Sequence, residues 1–324
     1  MLRTRICELL GIEHPIVLGG MSTGTSPRLV VAVSEAGGLG VLGATRQSPD
    51  QLARDIEEIR RQTDRPFGLN LLLFLADEPR FAGLLAARPR VLSFAWAWPE
   101  QDLAGFFART HAAGALVMHM VSTVPEATRA AEAGADIIVA QGTEGGGHVG
   151  LMGTLPLVPM VASAVAPIPV LAAGGVADGR GLAAALALGA EGVLLGTRFL
   201  ATVEAPFPER YKQAIVESDG HDSLVTELPD IANGQVWPGA YVRVLRNRFI
   251  EQWLGREGEL RRQRATVSAQ LRQAFQEGDR EHGAILAGQT AGLIDRVEPA
   301  GEVVRRISAE AERILRERLP ALLA

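Results

Sequence analysis

Lysine, cysteine and long apolar runs are scarce in this 324-residue chain. Lys212 is the only lysine and lies in a polar, helix-like stretch, so we expect no chemistry through an imine on a pocket lysine. Cys7 is the only cysteine, which excludes an intrachain disulfide. No apolar run approaches about 20 residues, and the first residues lack the apolar core of a signal peptide. We therefore expect a cytoplasmic protein without a membrane span.

The composition is that of an ordinary globular protein with no excess of positive charge. Hydrophobic residues make up 47% of the chain and charged residues 21%, which is ample material for a large core. The net charge is -5 and the sequence pI is about 5.8. Because no basic field is present to compensate phosphates, nucleic acid is not expected as a partner.

One pattern recurs along the chain: a helix-like stretch ends in a glycine-bearing cap, and a short apolar strand follows. The strands are continuously apolar, as expected when both faces of a parallel sheet are buried. Eight βα units predict an α/β fold of the closed (β/α)₈ TIM-barrel type, with an open doubly wound sheet as the alternative. The predicted strands lie at 16–18, 39–42, 67–71, 91–94, 116–119, 137–140, 169–172 and 192–195.

The regular rhythm breaks after Phe199, and residues 211–284 are polar and helix-rich. We predict a barrel formed by residues 1–210 and 285–324, with a mostly helical subdomain, 211–284, inserted over the C-terminal face of the barrel. The alternative for this stretch is a plain C-terminal extension. An amphipathic helix at 302–319 is the candidate for the last helix of the barrel.

Two glycine loops follow consecutive strands. Gly174 and Gly175 follow the seventh strand, and Gly196 and Thr197 follow the eighth. In barrels, these two loops commonly build a phosphate site from backbone amides and a short helix N-terminus. The sequence therefore predicts a phosphate-bearing ligand, with simple tight turns as the alternative.

The stretch QGTEGGGH at 141–148 follows the sixth strand. Its glycines let the backbone approach a flat or charged ligand, and His148 can exchange a proton near neutral pH, so we predict that His148 is catalytic rather than structural. Residues 145–150 fit the form GxGxxG, but no helix opens directly after them, so no dinucleotide site is predicted. Whether His119, which ends the fifth strand, faces the pocket is left open. Glu144 and His148 lack further ligands at metal spacing, and no metal site is predicted.

Two further strand ends carry candidate ligand contacts. Gly19-Gly20-Met21 follows the first strand, where bare backbone could lie along a flat ring system or simply form a tight turn. Asn70 ends the third strand. Its amide could bond the edge of a ring, or it could serve as a structural tie.

Together these motifs resemble the nitronate monooxygenase family, formerly called the 2-nitropropane dioxygenases. The broader group includes flavin-dependent enoyl-ACP reductases and an NADH:quinone reductase. The similarity covers nearly the full length of the chain. The Glu-x-Gly-Gly-His element at 144–148 is quite specific to this group, and the stretch AGQTAGLI at 287–294 also looks like the family.

The resemblance implies an FMN-containing barrel in which His148 is the catalytic residue. It also implies where the parts of the cofactor bind. The implied contacts are Gly20, Met21 and Ser22 near the isoalloxazine; Asn70 and Gln141 at its polar edge or the ribityl chain; Gly146 and Gly147 along the flavin; and Ala173, Gly174, Gly175, Gly196 and Thr197 at the phosphate.

The activity implied by the resemblance is FMN-dependent oxidation of alkyl nitronates, and of nitroalkanes, by O₂ to a carbonyl compound and nitrite. One alternative is an NAD(P)H-dependent FMN reductase acting on quinones or enoyl thioesters. A remote alternative is a non-enzymatic barrel that binds a phosphorylated ligand. The expected partners are the small-molecule substrate and O₂, with a homodimer as an open alternative to a monomer.

Two positions depart from the family pattern. Leu18 stands where many members have glutamine, and Met120 stands where some have a lysine at the end of the fifth strand. That lysine would favour an anionic reduced flavin. Its absence leaves the stabilising charge unidentified.

Overall fold

The computed structural model describes residues 2–323, and a barrel of parallel strands lies at its centre. All strands except β7, β10 and β11 belong to the barrel. The strands in chain order are β1 (Ile16–Leu18), β2 (Gly40–Gly43), β3 (Phe67–Leu72), β4 (Val91–Ala95), β5 (Leu116–Val121), β6 (Ile137–Gln141), β7 (Gly147–Val149), β8 (Val170–Ala173), β9 (Gly192–Leu195), β10 (Ser223–Thr226) and β11 (Tyr241–Leu245).

The barrel strands pair in the order β1-β9-β8-β6-β5-β4-β3-β2, and all neighbours run parallel. The two edges of this sheet meet. Leu18 N donates to Leu39 O at 2.9 Å, and Leu39 N donates to Ile16 O at 3.0 Å. The predicted (β/α)₈ barrel is therefore confirmed, and the open doubly wound alternative is wrong.

Helices surround the barrel. The last of them, α14, packs against α8 and α2, which is the place of the final barrel helix. The helices are α1 (Arg5–Leu10), α2 (Pro27–Glu35), α3 (Pro49–Gln62), α4 (Glu78–Ala86), α5 (Leu103–Ala112), α6 (Val124–Glu132), α7 (Thr154–Val165), α8 (Gly179–Ala187), α9 (Thr197–Leu200), α10 (Glu209–Glu217), α11 (Leu228–Asn233), α12 (Arg248–Trp253), α13 (Glu257–Glu277) and α14 (Ala300–Arg313). Within residues 2–323, no helix is both long enough and apolar enough to span a bilayer.

Alternate strand residues divide the apolar core into two layers, because successive side chains of a strand point to opposite faces. The interior layer includes Val17, Met118 and Val139 and also contains α1 residues such as Leu10. The outer layer lies between the strands and the surrounding helices and includes Val117.

His119 falls on the outer face of β5. Its ring centroid lies 5.5 Å from that of Phe107 on α5, and the residue is only 4% exposed. The question left open by the sequence is thereby answered: His119 does not face the open end of the barrel. Burial, reinforced by the charge of Arg129, lowers the pKa of His119 to about 3, so the imidazole stays neutral in the folded protein.

A second sheet lies outside the barrel. β11 pairs antiparallel with β10 on one side and with β7 on the other. The sequence pattern predicts no strand at 147–149 and mostly helix in 211–284, so these three strands were missed. Strand β7 is only three residues long, and its partner β11 lies some 90 residues further along the chain.

The segment that contains β10 and β11 has an apolar cluster of its own. Leu228 and Ile231 of α11, Val244 of β11, Phe249 of α12 and Leu260 of α13 are buried together. This cluster keeps α11 in place beside the three-stranded sheet. The division of the chain at residues 211 and 284 stays a prediction.

The burial of His119 makes the stability of the fold depend on pH. The unfolded chain binds a proton at this imidazole below its ordinary pKa of 6.5, whereas the folded chain does so only near 3. Stability should therefore fall as the pH drops below 6.5. Between about pH 7.5 and about pH 5.5 this single group should cost about 1.4 kcal/mol of unfolding free energy. His119→Leu should remove that loss, as measured by urea unfolding at both pH values.

The control for this measurement is His221→Leu, since His221 is exposed. It should retain the pH dependence of the parent chain. If His119→Leu and the parent lose the same free energy on acidification, His119 is not the buried neutral group that the structure shows.

Candidate active site

The polar side chains of the barrel interior gather at the C-terminal ends of the strands. Asn70 and Gln141 lie on the inward-facing positions of β3 and β6 and are 7% and 9% exposed. Asn70 Nδ2 donates to Ser93 O at 3.2 Å and to Ser93 Oγ at 3.3 Å. Within residues 2–323, only the carbonyl oxygen of this amide is left for a ligand. Asn70 is thus partly the structural tie that the sequence analysis considered.

The loops that follow the strands touch one another across this end of the barrel. Gly20 approaches Asn70 so closely that a Cβ at position 20 would overlap the Asn70 side chain. A Cβ on Gly196 would lie 3.3 Å from Met21 Sδ. Gly174 approaches the backbone of Gly142. The structure therefore brings the sequence-predicted residues of strands β1, β3, β6, β8 and β9 into one region.

The predicted phosphate loops present free backbone donors. Gly174 and Gly175 have φ of +83° and +72°, a left-handed conformation that glycine adopts at low cost. Within the described chain, the N–H groups of these two residues and of Gly196 donate no hydrogen bond. The Thr197 hydroxyl accepts from Gly288 N at 3.0 Å and keeps its own proton free to donate. Such clustered N–H groups suit an anion.

Glu144 has a structural role in the glycine-rich stretch. Its carboxylate accepts from Thr154 N at 2.9 and 3.0 Å and from Thr154 Oγ1 at 2.8 Å, at the start of α7. Its backbone oxygen accepts from Gln289 N at 3.0 Å. Gly146 packs against the same segment: a Cβ there would lie 2.5 Å from Gly288 N. Glu144 therefore fixes the loop that precedes His148.

His148 lies on β7 opposite Val242 of β11. Its Nε2 atom is 3.0 Å from Asp230 Oδ1 and 3.1 Å from Asp230 Oδ2. The His148 and Asp230 side chains are 12% and 11% exposed. The histidine therefore comes from the segment between β6 and α7, and its carboxylate partner comes from α11.

Aromatic rings cover one face of His148. The Trp237 ring stacks on the imidazole with centroids 3.3 Å apart and planes 14° apart. The centroid of a Trp237 ring lies 4.5 Å from that of Phe74 and 6.2 Å from that of Trp96. The Phe74 and Trp98 centroids are 6.3 Å apart. Trp96 has φ of +57°, which is unfavourable for a bulky residue and is held here by packing. These four rings form an aromatic wall beside His148.

The sequence analysis did not find Asp230 or the aromatic wall. Asp230 lies in the polar, helix-rich stretch 211–284, where no single carboxylate stands out from its charged neighbours. The tryptophans offered a usable signal, because Trp96 and Trp98 directly follow a barrel strand. Large aromatic residues at that end of a barrel point to a ligand pocket.

A sequence profile described as "Nitronate monooxygenase" matches residues 3–82 and 74–310. The chain belongs to the nitronate monooxygenase family. It is 38% identical to the (3aS,4S,5R,7aS)-5-hydroxy-7a-methyl-1-oxo-octahydro-1H-indene-4-carboxyl-CoA dehydrogenase of Mycobacterium tuberculosis, over 96% of each chain. It is 30% identical to a probable nitronate monooxygenase of Staphylococcus aureus, over 97% of this chain and 98% of the relative.

Solved structures show the same architecture. FabK from Thermotoga maritima is 38% identical and superposes with a TM-score of 0.87, covering 99% of this chain and 100% of that one. A nitroalkane oxidase from Streptomyces ansochromogenes is 29% identical with a TM-score of 0.83, covering 98% and 99%. The family consists of oxidoreductases, and its members are in general flavoproteins.

The residues at the rim fit an FMN cofactor. Ser22 Oγ and Gln141 Oε1 are buried and have no hydrogen-bond partner within residues 2–323. A buried polar atom without a partner is unfavourable, so both atoms fit a ligand that offers donors or acceptors. The free N–H groups of the Gly174 and Gly196 loops fit its phosphate. The assignment of individual residues to the cofactor stays a prediction.

Gln141→Leu tests this assignment. Loss of one hydrogen bond of about 1 kcal/mol should weaken FMN binding by about five- to tenfold, as measured by fluorescence titration of the apoprotein. The stability of the apoprotein should stay the same or rise, because the variant removes a buried amide oxygen that lacks a partner. These two effects have opposite signs, which a general disruption of the fold would not produce.

Gln47→Leu is the matched control. Gln47 Oε1 is also buried without a partner, and its Nε2 donates to Asp55 on α3. FMN affinity should not change in this variant. An unchanged affinity in Gln141→Leu as well would remove Gln141 from the cofactor site.

Proposed function

We propose that this protein is an FMN-dependent nitronate monooxygenase that oxidises alkyl nitronates, and nitroalkanes after removal of their α-proton, with O₂ to a carbonyl compound and nitrite. The observation that supports this proposal best is His148, which directly follows the glycine-rich stretch and is held by a carboxylate against the Trp237 ring. FMN, when bound, would supply the redox chemistry. The protein supplies position, a proton acceptor and a water-poor environment.

His148 would carry out the proton step. In a nitroalkane the carbon next to the nitro group is acidic, and a neutral imidazole is a suitable base for its proton. In a nitronate that proton is already absent, and a protonated His148 would instead bind the anion. The nitroalkane therefore requires His148 as a base, whereas the nitronate requires it as an anion-binding group.

The aromatic wall would receive the alkyl part of the substrate. The rings of Phe74 and Trp237 pack on each other at 4.5 Å between centroids, and Trp237 stacks on His148. Burial of an alkyl group against such rings is favourable and needs no charged partner. A small apolar nitro compound suits this environment.

The second candidate is oxidation or reduction next to the carbonyl group of an acyl thioester. It is favoured by the 38% identity to a carboxyl-CoA dehydrogenase across 96% of both chains. A carbon next to a thioester carbonyl is acidified as it is next to a nitro group. His148 could therefore serve the proton step in either reaction.

His148→Asn separates the base from the anion-binding role. Loss of a general base should lower kcat/KM for a neutral nitroalkane by on the order of 10²–10⁴-fold, whereas turnover of the matching nitronate should fall less than about tenfold. Both are measured by O₂ consumption. His221→Asn serves as the control for replacement of a remote histidine. Equal, small losses on both substrates would remove the base assignment.

Anaerobic reduction of the bound flavin separates the candidate functions. A nitronate, NADH, NADPH and a saturated acyl-CoA are mixed in turn with one preparation of the holoenzyme, and the loss of visible flavin absorbance is followed. Rapid loss with the nitronate alone supports the proposal. Rapid loss with a nicotinamide or with the acyl-CoA supports the reductase or the thioester candidate. A purified protein that neither carries nor takes up FMN would support a non-enzymatic barrel.

A further inference from the structure

We propose that Asp230 is the positioning residue of the catalytic base. It holds the His148 imidazole in the tautomer that carries its proton on Nε2, so that Nδ1 is the atom that exchanges a proton with the substrate. This inference rests on the proposed function for its kinetic consequence. The tautomer itself depends only on the geometry of the pair.

The hydrogen bond decides which nitrogen carries the proton. An ionised carboxylate can only accept, so the hydrogen between Nε2 and Asp230 belongs to the ring. A neutral imidazole has one N–H donor and one acceptor nitrogen. Because Nε2 is the donor, Nδ1 holds the free lone pair. Within the described chain, no residue hydrogen-bonds to Nδ1 of His148.

The position of Asp230 is fixed by its helix. Leu228 and Ile231 anchor α11 in the buried apolar cluster of the inserted segment. Leu228 N donates to Thr226 Oγ1 at 3.2 Å before the helix, and Gln235 N donates to Asp230 O at 2.9 Å after it. Asp230 is therefore held from both ends of the helix, and within residues 2–323 its carboxylate hydrogen-bonds only to the His148 ring.

The stack on Trp237 fixes the plane of the ring. With centroids 3.3 Å apart and planes 14° apart, the indole holds the plane of the imidazole, whereas a half-turn about χ2 would keep the stack and break the bond from Nε2 to Asp230. Asp230 thus sets the orientation of the ring within its plane, and Trp237 sets the plane itself. Together they leave one edge of His148, the Nδ1 edge, for the substrate.

The proton step is balanced on these atoms. The α-carbon of the nitroalkane gives its proton to Nδ1, and the electrons of the broken C–H bond move to the nitro group to form the nitronate. The ring then carries a proton on both nitrogens. The carboxylate of Asp230, 3.0 Å away, compensates that positive charge.

The test begins with the tautomer. The holoenzyme is labelled with ¹⁵N-histidine, and the His148 signals are identified as those missing from His148→Asn. In the parent protein the long-range ¹H–¹⁵N pattern should show the neutral ring protonated on Nε2. In Asp230→Asn the amide can donate to Nε2, so the proton should move wholly or partly to Nδ1.

The kinetic arm uses the same variant. Asp230→Asn should lower kcat for a neutral nitroalkane by on the order of 10²–10⁴-fold with little change in KM, because the lone pair no longer faces the substrate. Turnover of the nitronate should be retained within about tenfold. Asp136→Asn is the matched control, since Asp136 pairs with His111 at 2.8 Å outside the site. It should leave both rates unchanged.

The possible results separate a positioning role of Asp230 from a purely structural one. A parent His148 that carries its proton on Nδ1 overturns the proposal without any variant, so a poorly folded Asp230→Asn does not rescue it. An unchanged tautomer in Asp230→Asn, with equal losses on both substrates, makes Asp230 a structural tie and also overturns it. An enzyme inactive on nitro compounds but with the expected tautomers refutes the proposed function and leaves the role of Asp230 standing.

Discussion

The antiparallel pairing of β7 with β11 is the interaction on which the candidate site depends. It joins a three-residue strand after the sixth barrel strand to the segment that folds outside the barrel. The pairing of His148 with Val242 fixes the backbone of the histidine, and its ring reaches Asp230 on α11. Neither part could form the His148–Asp230 pair alone, because the histidine belongs to the rim of the barrel and the carboxylate belongs to the segment outside it.

The same loop makes a second set of contacts, with the segment around Gly288. Gly146 and Gly288 pack backbone against backbone, since neither carries a Cβ that would separate them. The Thr197 hydroxyl accepts from Gly288 N, so the segment that returns to the barrel also reaches the loop after β9. Three rim loops, distant in sequence, thereby share one set of contacts. A shift in one would be transmitted to the others, which would suit a site for the proposed flavin.

The sequence predicts those parts of this structure whose physics is local. The barrel strands were found because buried parallel strands are continuously apolar and glycine caps precede them. The capping of two helices is equally local, because each has a serine directly before a proline at its first position: Ser26 Oγ accepts from Leu29 N, and Ser48 Oγ accepts from Gln51 N. Whether His119 faces the barrel interior or the surrounding helices depends on the register of β5, because a shift of one residue moves each side chain of a strand to the opposite face. The pairing of β7 and the approach of Asp230 to His148 are non-local contacts that carry no pattern of their own.

The uncharged Met120 gives the His148–Asp230 pair a possible second role, as a source of positive charge. Met120 is partly buried against the interior of the barrel and carries no charge, so strand β5 offers no cation to the site. Positive charge to meet an anion that develops on a substrate or cofactor would then have to come from another element. A His148 that had accepted a proton, as proposed, would supply such a charge, and the carboxylate of Asp230 would stabilise it. We therefore expect the pair to supply, for the lifetime of the anion, the positive charge that a lysine would hold permanently.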